Sequence, residues 1–164
     1  MQTVTRIVAI RHGETAWNVD TRIQGQLDVG LNETGRQQAR RLARALGSES
    51  ISAIYTSDLS RARDTAQSIA QTTGQPLQPH TGLRERGFGL FQGKTFVEIE
   101  RSWPELALRW RQRDPHWTPE GGESLLTLRE RILGTTNELA SRLMAGAVAK
   151  SREMGIPMSI AISD

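Results

Sequence analysis

The sequence predicts an α/β domain built on a parallel sheet, and three observations carry that reading. A β-branched run opens the chain, strand-like and helical apolar periods then alternate, and the first two helical stretches each stop at a glycine. Strand, helix, strand, helix is the order that places successive strands side by side and parallel. At 164 residues and 18.2 kDa the chain fits one domain.

Each element has its own signal. Val4, Arg6, Ile7, Val8, Ala9 and Ile10 read as a buried central strand ending at Arg11-His12-Gly13. Asn32 is a helix cap, Ala39, Leu42, Ala43 and Leu46 form the apolar face behind it, and Gly47 ends it. Ile51 to Thr56 is a second strand. The helix after Asp58 buries Ala62, Ala66, Ile69 and Ala70 before Gly74. Pro76 to Gly93 reads as loop, and Thr95-Phe96-Val97-Glu98 is a capping box opening a helix that pauses at Pro104. Trp103, Leu106 and Trp110 form a core stripe. A long helix after Gly121-Gly122 carries Leu125, Leu128, Ile132, Leu139 and Leu143 on one side.

Composition narrows the function. Apolar residues at 37% and charged residues at 24% are those of a globular chain. No apolar run approaches a membrane span and the N-terminus lacks a signal-peptide core, so no membrane partner and a cytoplasmic protein are expected. The absence of cysteine removes disulfides, thiolate metal sites and a cysteine nucleophile. The 21 basic residues, all arginine but Lys94 and Lys150, meet 18 acidic ones. Arg36, Arg40, Arg41 and Arg44 are spread around one helix as a solvated face, so no nucleic-acid partner is expected.

The chemistry is concentrated in Arg11-His12-Gly13-Glu14-Thr15-Ala16-Trp17-Asn18, which sets an imidazole, a guanidinium and an amide in one turn at a strand's carboxyl end. Arg11 can grip two phosphoryl oxygens, a neutral His12 nitrogen can attack phosphorus in line, and Gly13 is read as allowing close approach of a ligand. His80 and His116 sit among prolines and read as surface residues. No second ligand stands at a metal-binding spacing beside them, so neither metal nor cofactor is expected.

This string resembles the Arg-His-Gly-x-Thr-x-x-Asn signature of the histidine phosphatase superfamily, the phosphoglycerate mutase-like proteins. Further blocks follow in the same order: Gln24-Gly25, Leu31 to Ala39, Tyr55-Thr56-Ser57-Asp58-Leu59-Ser60-Arg61-Ala62, Leu83-Arg84-Glu85 before Gly93, and Gly121-Gly122-Glu123-Ser124. The resemblance spans residues 3 to 142 and implies a three-layer sandwich, a mostly parallel central sheet with helices on both faces. It also implies a phosphatase or mutase-like (isomerase) activity on a small phosphorylated substrate. By resemblance, His12 is the nucleophile and becomes a phosphohistidine, and Arg11, Arg61 and Asn18 bind the phosphoryl group. Glu85 is the general acid and base, while Gln24 and Gly25 line the substrate side.

The resemblance stops after residue 142. Members of the family follow the long helix with a buried strand and a second histidine that completes the phosphate pocket, and this tail has no histidine. Residues 143–164 read instead as an atypical helix to Gly155 and a strand from Met158 to Ile162. They are similar to the opening of the small α/β proteins of the glycolate-operon and haem-binding type. A fusion or rearrangement cut short, a natural variant with Asp164 in the histidine's place, and an engineered chimera all fit these residues. Asp164 would repel a phosphoryl group rather than donate to it. Two consequences are expected: impaired activity, with an inactive phosphate-binding or interaction module as the alternative, and self-association through an incomplete sheet edge.

Overall fold

A computed structural model describes residues 6–154 and 159–163. The strands are β1 (Arg6–Ile10), β2 (Ala53–Thr56), β3 (Leu77–Pro79) and β4 (Ser159–Ser163). The helices are α1 (Ala16–Val19), α2 (Glu33–Ala45), α3 (Ser60–Thr73), α4 (Phe96–Ser102), α5 (Pro104–Arg111) and α6 (Leu125–Met154), and 3-10 turns occupy Thr81–Leu83 and Gly89–Phe91. The described strands form one sheet in the order β1-β4-β2-β3, with every pairing parallel.

The layers follow from the pleat of β2. Ile54 faces a cluster with Ala43 of α2 and Ala66, Ile69 and Ala70 of α3, whereas Ala53 and Tyr55 face Leu83 and Leu139 of α6. Helices therefore cover both faces. A third cluster joins Phe91, Ile99, Ala107 and Trp117, with Trp103, Leu106 and Trp110 packed against it, as the core stripe requires.

Local signals explain most elements. Asn32 caps α2 by accepting from the Gly35 amide, Thr95 and Glu98 close the box on α4, and Gly74 ends α3 in the left-handed conformation. Three readings need correction. Among the described strands β1 lies at the sheet's end, not its centre, and Ile7 is 46% exposed, because no described strand pairs along its outer side. Within the segment read as loop, β3 forms at the opposite end, where Pro79 is tolerated because no neighbour beyond it needs its missing N–H. His80 is half-buried and accepts from the Gly82 amide at 3.0 Å, so it is a cap and not a surface residue.

β4 is the strand expected near the C-terminus. It pairs with β1 from Arg6↔Ser159 to Ile10↔Ser163 and with β2 from Ala53↔Ile160 to Thr56↔Ser163, and α6 runs through residue 143 without a break. Val4, Gly155, Met158 and Asp164 lie outside the described residues. No helix among the described residues is long and apolar enough to cross a membrane.

Candidate active site

The turn after β1 is organised by its own side chains. Thr15 caps α1, and Asn18 Oδ1 accepts from the Thr15 amide at 2.9 Å and from its hydroxyl at 3.0 Å. Asn18, its oxygen engaged in this capping box, is one of the residues that line the cleft. The Thr15 hydroxyl also meets Gln24 Oε1 at 3.0 Å, anchoring Gln24, which is buried.

His12 Nδ1 lies 2.6 Å from the Gly13 carbonyl oxygen. A carbonyl only accepts, so Nδ1 carries the proton and Nε2 is the bare nitrogen. Burial is the main reason that the imidazole's pKa lies below its ordinary value; the Gly13 hydrogen bond opposes this, and Arg61 and Arg11 reinforce it. The shift favours the neutral ring over the imidazolium.

Gly13 has a different role from the one its sequence context suggests. Its amide donates to Thr65 Oγ1 at 3.0 Å, and a Cβ on it would stand 2.5 Å from the Gly35 carbonyl oxygen. The glycine lets the turn pack on the start of α2, not on a ligand. Gly13→Ala is expected to cost about 2–3 kcal/mol through overpacking against backbone, read as a lowered urea midpoint with unchanged slope.

Arg61, in the first turn of α3, is completely buried. It donates to the carbonyls of Leu27 at 2.9 Å and Gly25 at 2.7 Å, and to Glu85 Oε2 at 3.2 Å, while its buried Nε has no partner among the described residues. Gly25 thus acts by holding Arg61, and it does not line the cleft. The amide of Ser60 donates to Asp28 Oδ1 at 2.7 Å, so a carboxylate already satisfies the start of α3. Arg11 lines the cleft from an exposed position.

Glu85 follows the first 3-10 turn and is half-buried. Burial raises its carboxyl pKa above the ordinary range, against the opposing pull of Arg61 and Arg11. Its neighbours are tied down. Arg84 grips Asp58 with a fork of 2.7 and 2.5 Å, and Arg86, buried, donates to the Glu123 carbonyl at 2.8 Å and stacks on Phe88. Flanking arginines that resemble a surface ion-pair pattern in sequence are in fact the loop's anchors.

Arg11, His12, Asn18, Gln24 and Glu85 line a single cleft of about 960 Å³. Phe88, Phe96, Trp110 and Trp117, with Leu128 and Ile132 of α6, form its apolar wall. The cleft therefore offers a bare imidazole nitrogen, a raised carboxyl and cationic donors, a set suited to moving a phosphoryl group, together with apolar surface. Among the described residues no group of three or more His, Asp or Glu stands ready for a metal ion.

The aromatic wall and Asp28 were not singled out from sequence as site residues. The helical stripe signalled Trp110 as core, and it is both core and wall.

The family model for the histidine phosphatase superfamily (branch 1) matches residues 7–150. The chain belongs to that superfamily. It is 41% identical over 139 residues to a glucosyl-3-phosphoglycerate phosphatase of Mycolicibacterium vanbaalenii, covering 85% of this chain and 61% of the relative. It is 46% identical over 128 residues to phosphoglycerate mutase-like protein 4 of Arabidopsis thaliana, covering 76% and 56%. The chain thus spans about three-fifths of the length of these curated relatives. A solved mycobacterial glucosyl-3-phosphoglycerate phosphatase in complex with VO3 superposes with a TM-score of 0.80 at 37% identity, covering 96% of this chain and 74% of that one. The histidine phosphatase fold is the three-layer α/β architecture described above.

Proposed function

We propose that the chain is a phosphomonoester phosphatase that works through a phosphohistidine on His12, with Glu85 as general acid and base. The observation that carries this reading is the meeting, in one cleft, of an imidazole with a bare Nε2 and a carboxyl raised by burial, beside Arg11 and Arg61. Nε2 attacks phosphorus, the bond from phosphorus to the leaving oxygen breaks, and Glu85 gives that oxygen its proton. Glu85, now a carboxylate, takes a proton from water, whose oxygen attacks phosphorus as the P–N bond breaks. Orthophosphate leaves and His12 returns neutral. Arg11 and the Asn18 amide, from residues that line the cleft, hold the equatorial oxygens, and Arg61, buried beside Glu85, adds its positive charge.

Hydrolysis fits the glucosyl-3-phosphoglycerate phosphatase among the relatives, mutase-like transfer is the second reading that the phosphoglycerate mutase-like relative supports, and VO3 bound to a similar fold fits a phosphoryl pocket in either case. The substrate is a small phosphorylated molecule whose alcohol part packs on Phe88, Trp110 and Trp117. The histidines of this sequence are His12, His80 and His116; His80 is a cap and His116 is exposed, so neither supplies the family's second pocket histidine.

The pH profile tests the pairing of roles. The productive form needs neutral His12 and protonated Glu85, and with ordinary values near 6.5 and 4.3 only about 0.5% of molecules would have both at the optimum. The downward shift at His12 and the upward shift at Glu85 both enlarge that fraction. A bell is expected for alkyl phosphates. Its acid limb marks loss of the imidazolium proton, and its alkaline limb marks loss of the Glu85 proton. A rate that climbs steadily into alkaline pH would contradict the assignment.

A further inference from the structure

Arg131 ties down the Glu85 loop from outside the residues that line the cleft. Arg131, on the second turn of α6, uses all five of its N–H donors. Nε and one Nη2 proton form a fork on Glu123, at 2.8 Å to each carboxylate oxygen. Nη1 donates to the carbonyls of Gly82 at 3.0 Å and Arg84 at 2.7 Å, and Nη2 donates to the carbonyl of Glu85 itself at 3.1 Å. Three carbonyls spanning the 3-10 turn and the residue that carries the carboxyl thus converge on one planar cation.

Glu123 completes the clasp from the other side. Its Oε2 accepts from the Gly87 amide at 2.7 Å, and its own amide donates to the Gly87 carbonyl at 2.7 Å. Gln26 bridges the two, donating to the Glu85 carbonyl at 3.1 Å and to Glu123 Oε2 at 3.3 Å. Backbone on both sides of Glu85 is therefore fixed to the start of α6, while its side chain is left to meet Arg61 at 3.2 Å.

We infer that Arg131, braced by Glu123, is the positioning residue for Glu85, setting through main-chain carbonyls where the proton donor stands relative to the leaving oxygen. The inference rests on the proposed reaction for its kinetic meaning. Lysine cannot replace Arg131, because a point ammonium has three donors and no fork with which to hold three carbonyls and a carboxylate together. The groups that face the Glu85 carboxyl are Arg61 from α3 and Arg11 after β1, so Arg131 acts through position and not through charge on the carboxyl.

The test compares the wild type with Arg131→Lys and Glu123→Gln, which breaks the same clasp without touching Arg131. Thermal melting reports folding. For either variant that folds, kcat on an alkyl phosphate is expected to fall on the order of 10- to 100-fold, as a misplaced catalytic group would require, with KM unchanged. Loss on a nitrophenyl phosphate is expected to stay within about threefold, because that leaving oxygen needs little protonation. The 13C titration of the Glu85 carboxyl is expected to move down toward the ordinary carboxylate range. Equal losses on the two substrates with an unmoved Glu85 titration would reduce Arg131 to a structural tie and overturn the inference. Absence of any turnover by the wild type would instead overturn the proposed reaction, and the carboxyl titration would still decide whether Arg131 sets the position of Glu85.

Discussion

His12→Ala is expected to lower turnover of an aryl phosphate on the order of 10⁴-fold or more, since among the described residues no other histidine lines the cleft to form the covalent intermediate. The structure makes this a clean substitution. The imidazole makes one hydrogen bond, to the carbonyl of the adjacent Gly13, so its loss removes the nucleophile and little of the scaffold. Binding should persist, because Arg11, Arg61 and Asn18 remain, and orthophosphate should still bind in calorimetry. Equal rates in the wild type and the variant would favour a phosphate-binding module without catalysis.

Glu85→Gln is expected to cost about 10²–10⁴-fold on alkyl phosphates and far less on nitrophenyl phosphates. An alkoxide is too basic to leave without a proton, whereas a nitrophenolate departs unaided. Glutamine preserves the shape and can accept from Arg61, so the pocket should keep its form while losing its proton. The alkaline limb of the pH profile should vanish with the carboxyl that makes it. Equal loss on both classes of substrate would remove Glu85 from the proton-donor role.

How much of this was legible in the sequence depended on whether a residue's role is local. The turn from Arg11 to Asn18 could be read because strand end, imidazole and capping residues lie within eight positions, and the structure keeps them together. The layers were legible for a similar reason: the apolar faces of α2, α3 and α6 recur at helical spacing, and each packs on the sheet as its period requires. Gly13 was misread because its neighbour, Gly35, is distant in sequence, and a glycine required by backbone packing looks the same as one required by a ligand. The fully buried Arg61 is held by the Gly25–Asp28 loop, a partnership that only the tertiary fold creates. Arg131 borders the apolar stripe of α6 and carries no signal of its own in the sequence; its five acceptors come from segments 8 to 49 residues away. The position of β1 could not be judged either, since an apolar strand run has the same composition at a sheet's end as at its centre when helices cover its faces.

The central claim is that phosphorus passes through His12. Turnover of a phosphomonoester should be quenched within milliseconds into alkali, which preserves phosphoramidates, and the protein should be digested and sequenced by mass spectrometry, with 31P NMR of the intact quenched chain alongside. The account expects a base-stable, acid-labile phosphate on the peptide that carries Arg11-His12-Gly13, bonded at Nε2 because Nδ1 is engaged with the Gly13 carbonyl, and absent from His12→Ala. Steady turnover with no phosphorylated His12 at any quench time, or phosphate trapped on another residue, would contradict it.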